Sequence, residues 1–325
     1  MDNRPRSKNV SPVVTVVIPT RNRPILVLRA VESVLKQSFS DLEVVVVVDG
    51  PDIETCKVLG KIADSRIKIV ALKENVGGSE TRNTGVREGR GEWVAFLDDD
   101  DEWLPEKLRA QMNFIRKNNL KNAIISCQYI DRKQSGDMIR PQIFPKSEQP
   151  ISEYLFCEMG YLSPRQGFLQ TSTLLASRSL LLQVPFTKGL KRNQDADWLL
   201  RATPEAKDGL HIVPEVLSIF HNIEGLDRIG SRLDWKYSYD WALEHRMYFT
   251  KKSLSYFIAG YCASVAMRQK QGIMPQVRQF AYCCKYGAID AKVLFYFFRY
   301  SIADAVVRKF LPNNILSIIK KSINK

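Results

Sequence analysis

The chain has 325 residues, 45% of them hydrophobic, enough to bury one large core or one core with a smaller appended domain, so disorder is excluded as the default. Its net charge of +13 is uneven: residues 268–325 hold eleven Lys/Arg against two Asp/Glu, which points that segment toward an anionic partner. Six cysteines without a CxxC pair argue against a disulfide framework, and three histidines are too few for a multi-His metal centre, so any metal must rest on carboxylates.

In chain order, residues 1–11 read as a flexible basic tail with no signal-peptide cleavage pattern, which makes secretion unexpected. From Val13 to about Ile130, short β-branched runs alternate with helix-period segments, the signature of βαβ units around a mostly parallel sheet. The expected strands are Val13–Ile18, Leu42–Val48, Ile67–Ala71, Glu92–Leu97 and Ala123–Cys127. Between them the expected helices are Pro24–Gln37, Ile53–Asp64, Ser79–Glu88 and Pro105–Asn118, with Pro24 and Pro105 in first-turn positions. Residues 131–170, punctuated by Pro141, Pro145, Pro150 and Pro164, read as loops on the acceptor side. A strand running into a short helix is expected over Leu174–Val184, a helix over Asp195–Ala202, and a strand over Val216–Phe220. From about Asp234 the pattern is helical, with breaks near Gly272, Pro275 and Pro312. The apolar run Leu254–Met267 is interrupted and falls short of the roughly 20 residues a spanning helix needs.

Ligands of open α/β sheets bind beyond the carboxyl ends of the strands. The polar residues there are Thr20-Arg21-Asn22-Arg23 after the first strand and Asp49-Gly50-Pro51-Asp52 after the second, then Gly77-Gly78 with Arg82-Asn83, then Asp98 to Asp101 after the fourth. All are expected to converge on one edge. Four consecutive carboxylates repel one another and need a cation or hydrogen-bond donors to compensate them. Mg2+ or Mn2+ would take one or two of them and complete its shell with water and phosphate oxygens; a solvated acidic loop or weak Ca2+ site is the competing reading.

The strings IPTRNRP, VVVDGPD and ENVGGSETRNTGVREGRGEWVAFLDDDDEWLPEKL, in that order and spacing, resemble the family 2 glycosyltransferases, closely over residues 13–115 and more weakly to about residue 225. The resemblance implies a GT-A-like α/β fold, a mostly parallel mixed sheet flanked by helices, over residues 12–230, with residues 231–325 a basic helical C-terminal extension. It implies inverting transfer from a nucleotide-sugar donor, a UDP-sugar first, to a glycan or lipid-linked acceptor, in cell-surface polysaccharide synthesis. By the same resemblance Thr20 and Asp49 contact the base, Arg82 approaches the diphosphate, Asp98 touches the ribose or sugar, Asp99 fills the middle of the acidic motif, and Asp100 ligates Mn2+ or Mg2+. Val48 stands where the family usually has a first Asp, and Arg21 where an aromatic is common. Asp101 is expected to support the loop or cap the helix near Pro105.

Inversion needs a base for the acceptor hydroxyl. Gln194-Asp195 resembles the family's Glu-Asp pair, which makes Asp195 the candidate and Asp197 its rival, with an N-cap role for Asp195 as the plain alternative. Trp198 reads as a sugar-facing wall or a core aromatic, and His221 as a late metal or phosphate contact or a structural histidine. Arg278, Lys285, Lys292 and Arg299 recur every seven residues with Tyr282, Tyr286, Phe295, Tyr296 and Phe298 among them, which on a continuous helix would make one basic stripe suited to anionic lipid. The expected location is therefore cytoplasmic, peripheral on the inner face of the membrane. A nucleotidyltransferase should carry a Gly-rich loop after the first strand, which PTRNRP lacks. A non-catalytic basic binding protein should carry a nucleic-acid motif, and none accompanies the charge, so no nucleic acid is expected as a partner.

Overall fold

The computed structural model describes residues 11–146, 148–158, 167–222, 235–269 and 271–300. They fall into two compact units, one from residues 1–141 and 169–226, the other from residues 142–168 and 227–325. The expected basic tail, 1–11, lies almost wholly outside the described residues, as do the Pro312 break and residues 301–325 of the basic C-terminal segment.

The first unit is built on one nine-stranded sheet in the order β3-β2-β1-β4-β8-β6-β9-β5, with β7 paired to β6. β1 (Val14–Thr20), β2 (Leu42–Val48), β3 (Ile67–Ala71) and β4 (Trp93–Phe96) run parallel. Val44 to Val48 are all 0% exposed, as a strand covered on both faces must be. Val16, Ile18, Val44, Val46 and Val48 pack with Val27, Val31 and Val34 of α1 (Pro24–Leu35), and each fully buried valine contributes about 1.5–3 kcal/mol. On the other face α3 (Gly78–Glu88) sits so close to β1 that a Cβ on Gly85 would overlap the Val17 side chain.

α2 covers Ile53–Leu59, shorter than the expected Ile53–Asp64 because Gly60 closes it, and α4 covers Lys107–Lys117, starting after Pro105. Residues 131–140, expected as loop, continue β6 (Ile124–Lys133) into a hairpin with β7 (Gly136–Arg140). Asp131, 4% exposed, binds Arg140 at 3.1 Å across that hairpin, a pairing no local pattern announces. β8 (Leu175–Ser177) leads into α6 (Arg178–Gln183), and α7 covers Gln194–Ala202. β9 (Leu210–His221) is longer than expected. It runs parallel to β6 with a bulge that steps over Pro214 and Glu215, and its far end pairs antiparallel with β5 (Glu102–Trp103).

The second unit is helical. α5 (Ile151–Cys157) comes from the segment expected as loop and departs from a continuous 12–230 domain by packing here. α8 (Trp235–Glu244), α9 (Lys251–Tyr256), a π-helical turn (Phe257–Cys262), α10 (Ala263–Arg268), α11 (Met274–Tyr286) and α12 (Ala291–Phe298) complete it. Phe156, Trp241, Phe249 and Phe257 form its aromatic centre. The heptad stripe is not on one helix: Gly287 ends α11, and Asp290 caps α12 through the Val293 N–H at 2.9 Å. Tyr296 is 1% exposed and belongs to the core. Among the described residues no helix is long and apolar enough to cross a membrane.

Candidate active site

The acidic run lies between two fixed strands. β4 feeds it and β5, held by β9, receives it, so the four carboxylates sit in a tight turn in which the Asp101 N–H donates to the Asp98 carbonyl at 3.1 Å. Asp101 is 0% exposed and points inward. Its carboxylate accepts from Gln170 Nε2 at 2.5 Å, Ser172 Oγ at 2.6 Å and the His221 N–H at 3.2 Å. Burial, with Asp100 and Asp98 nearby, raises its pKa well above the usual carboxylate range. It supports the loop and does not cap α4, whose N-cap position is Glu106.

Asp99 is 5% exposed and accepts from Thr20 Oγ1 at 2.8 Å and Arg23 Nη1 at 2.8 Å. Burial pushes its pKa up to about 6 against the opposing charge of Arg23, with Asp100 adding to the rise. The same Arg23 nitrogen lies 3.4 Å from Asp100 Oδ2, and Arg29 Nη2 donates to the Asp100 carbonyl at 2.6 Å. Two carboxylates thus converge on one cationic nitrogen, the donor set that suits a hard cation held by one or two carboxylates and substrate phosphate. Among the described residues no group of three His, Cys, Asp or Glu could cage a metal by itself.

Asp98 faces Arg82. The guanidinium donates Nη2 to Asp98 Oδ1 at 2.5 Å and Nη1 to Gln194 Oε1 at 2.7 Å, while its Nε is buried without a hydrogen-bond partner. Burial works against the Arg82 charge, but Asp98 and Asp195 outweigh it and hold it protonated. Gly78 makes room: a Cβ there would stand 3.1 Å from Arg82 Nη1 and 3.2 Å from Gln194 Oε1. Asn83, one residue on, ties α3 to Phe186 through paired 2.9 Å bonds.

Asp195 lies in the first turn of α7, half-buried, and accepts from Thr171 Oγ1. It is not the N-cap, because Asn193 holds that place with φ 64°. Burial raises its pKa, Arg82 opposes the rise, Asp98 adds to it, and Thr171 opposes it again. The turn carrying Thr171, Thr171–Thr173, is braced by Trp103 Nε1 on the Ser172 carbonyl at 2.7 Å and by Gln111 Nε2 on the Thr173 carbonyl at 2.9 Å.

The structure brings Thr20, Arg82, Asp98, Asp99, Asp100 and Asp195 to the carboxyl edge of the parallel strands. Asp49 is there too, 7% exposed, with its carboxylate accepting from the Val76 N–H at 2.7 Å and the Gly77 N–H at 3.1 Å, so it also shapes the turn before α3. Three sequence candidates are otherwise engaged. The Asp197 side chain is 0% exposed and bound by Thr187 at 2.7 Å and Arg201 at 2.8 Å, which removes it as a rival base. Trp198 is 0% exposed, stacks on Phe186 and donates to the Val184 carbonyl at 2.8 Å, so it walls no sugar. His221, 6% exposed, binds Glu102 at 2.6 Å, and burial, then Arg29, lowers its pKa; it ties β9 to the acidic turn. Sequence reasoning gave Arg23 and Thr171 no role and read Gln194 only as the residue in the Glu place of the family's Glu-Asp pair. Arg23 also had a signal there: a cation in the loop after β1, in a chain with an acidic run after β4.

A fold of the GT-A glycosyltransferase type is what this sheet defines. S. aureus TarS 1-349 in complex with UDP-GlcNAc aligns with a TM-score of 0.60 over 83% of this chain and 79% of that one, at 20% identity. The mannosyltransferase PcManGT from Pyrobaculum calidifontis, in complex with GDP-Man and Mn2+, aligns at 0.54 over 97% and 80%, at 16% identity. Residues 15–172 match the sequence model of Glycosyl transferase family 2. The relative named putative teichuronic acid biosynthesis glycosyltransferase TuaG, of Bacillus subtilis (strain 168), is 30% identical over 184 residues, 45% of this chain and 72% of that protein. The amylovoran biosynthesis glycosyltransferase AmsB of Erwinia amylovora is 26% identical over 253 residues, 74% of this chain and 80% of that protein. WfgD of Escherichia coli, a UDP-Glc:alpha-D-GlcNAc-diphosphoundecaprenol beta-1,3-glucosyltransferase, is 30% identical over 131 residues, 40% and 52%. The chain belongs to glycosyltransferase family 2.

Proposed function

We propose that this glycosyltransferase moves a sugar, with inversion, from a nucleotide-sugar donor, UDP-sugars first, to a hydroxyl of a glycan or lipid-linked acceptor in cell-surface polysaccharide synthesis. The observation that carries the reading is the Arg82 bridge, which joins Asp98 of the acidic run to Gln194, the neighbour of Asp195. It sets the donor side and the candidate base on either side of one guanidinium. The relatives assigned to amylovoran and teichuronic acid synthesis support the pathway class, and the donor and acceptor in the WfgD name support a lipid-linked acceptor.

In this reading Thr20 and Asp49 hold the nucleotide, Asp49 offering a carboxylate to an imide N–H. Arg82 meets the diphosphate, and Asp98, with Asp99 beside it, orients the ribose or sugar. Asp100 takes Mn2+ or Mg2+, which when bound neutralises charge on the leaving diphosphate. Asp195 takes the proton from the acceptor hydroxyl as that oxygen attacks the anomeric carbon. Exposed Met274, Val277, Leu294 and Phe298 near Arg278, Lys285 and Lys292 support contact with anionic lipid by the second unit, on the cytoplasmic face where a lipid-linked acceptor is met.

Asp195→Asn tests the assignment. The variant should lose about 10²–10⁴-fold in kcat while UDP affinity by calorimetry stays within about twofold. Unchanged kcat would place the base elsewhere.

A further inference from the structure

Lys107, the first residue of α4, is 0% exposed, so its ammonium lies in the interior of the first unit. Three effects oppose a charge there. Burial disfavours the ammonium, no carboxylate among the described residues pairs with it, and the N-terminal end of a helix carries positive partial charge. Burial lowers its pKa to about 8, and the titratable group that acts against the fall is Cys127, which burial in turn pushes up to about 11, with Glu215 adding to that rise. A methionine, of similar length and uncharged, would avoid all three effects. Lys107 Nζ donates to Gln111 Oε1 at 2.8 Å and lies 3.9 Å from the centre of the Trp103 ring.

An ammonium donates and cannot accept, so it decides which end of the Gln111 amide it meets. Oε1 is taken by Lys107, and Nε2 is turned onto the Thr173 carbonyl at 2.9 Å. The same charge over the indole polarises the ring and strengthens the Trp103 Nε1–H as a donor to the Ser172 carbonyl at 2.7 Å. Both donors that brace the Thr171–Thr173 turn therefore answer to one cation. That turn reaches Asp195 through the Thr171 hydroxyl and main chain, each favouring the carboxylate, while Arg82 from α3 and Asp98 from the acidic turn are the charged groups that act on Asp195 with them. We propose that Lys107 is a positioning residue: its ammonium sets Gln111 and Trp103 on the carbonyls of Thr173 and Ser172 and so keeps the Thr171 donors on Asp195, favouring the ionised base. This rests on the assignment of Asp195 as base made above. Wholly buried, Lys107 meets no ligand itself, and it stays protonated below about pH 8.

The test reads the Asp195 carboxyl directly and needs no substrate: the full chain is labelled with 13C at the aspartate side-chain carboxyl, and the Asp195 resonance, identified by its loss in Asp195→Asn, is titrated by NMR. Lys107→Met should raise the Asp195 pKa by about half a unit or more, with an unfolding midpoint no lower than that of wild type, because an apolar side chain replaces a buried charge. Gln111→Leu, which removes the link and keeps the lysine, should raise it as well, and carries the test if Lys107→Met folds poorly. Thr171→Val is the reference for a lost donor and should move the same resonance in the same direction. A raised pKa in Thr171→Val with an unmoved one in Lys107→Met and Gln111→Leu would overturn the role of Lys107 and leave the base assignment standing. A lowered midpoint with an unmoved pKa would make Lys107 a packing residue only and overturn the proposal. Failure of the base assignment is read separately: unchanged kcat in Asp195→Asn would end the part of Lys107 in the reaction, whatever the titration shows.

Discussion

Arg82 and Thr171 both act on Asp195, one by charge and one by a hydrogen bond, and both favour the carboxylate against the burial that opposes it. A base must be ionised, so activity is lost as pH falls through the raised pKa. Removing a donor to the carboxylate raises that pKa further. Thr171→Val, close to isosteric, should therefore move the acid limb of kcat/KM upward by about one unit, the size expected for one hydrogen bond to a charged group, and leave the alkaline plateau in place. An unmoved limb would show that the titrating group is not Asp195. At this scale the sequence was legible where charge had to be compensated: Asp98 to Asp101 could not stand unpartnered, and Arg82 meets Asp98, Thr20 and Arg23 meet Asp99, and Gln170 and Ser172 meet Asp101. It was silent where partners come from distant segments. Thr171 and Asp195 are 24 residues apart, Arg82 and Gln194 are 112 apart, and no spacing rule relates them. Asp197 and Trp198 could be told from site residues only by burial.

Two elements carry Arg82 and the four carboxylates, α3 and the acidic turn. α3 carries Arg82 and Asn83 and owes its approach to β1 to Gly85, whose missing Cβ leaves room for Val17. Gly85→Ala would force α3 outward. The expected outcome is a loss of about 1–3 kcal/mol in denaturant unfolding together with a weaker UDP affinity, since Arg82 moves with the helix. Lost stability with unchanged UDP affinity would mean that α3 does not set the diphosphate contact. The parallel strands and their helices were legible because hydrophobic period and turn chemistry agree from Val14 to Lys117, with errors only at ends such as Gly60. The β6–β7 hairpin and α5 were not. The four prolines scattered through residues 131–170 read as loop, whereas the hairpin is held by the Asp131–Arg140 pair and α5 by aromatic packing onto Phe249 and Phe257. The basic stripe failed for the reason its spacing concealed: a seven-residue repeat makes a stripe only on an unbroken helix, and Gly287 to Asp290 interrupt it.

For the whole molecule, the surplus of positive charge and the exposed apolar side chains of α11 and α12 belong to the second unit, while the residues proposed for the donor side belong to the first. Replacing Arg278, Lys285 and Lys292 together by glutamate should abolish co-sedimentation with vesicles containing anionic lipid and leave UDP affinity unchanged; equal sedimentation would remove the membrane role. The central claim, that the acidic edge binds a sugar nucleotide through a cation on Asp100, is tested most directly by calorimetric titration with a panel of UDP-, GDP- and dTDP-sugars. Wild type with Mn2+ should bind at least one donor, and both chelation of the metal and Asp100→Ala should weaken that binding about tenfold or more. Binding that is unchanged by chelation and by Asp100→Ala would contradict the account.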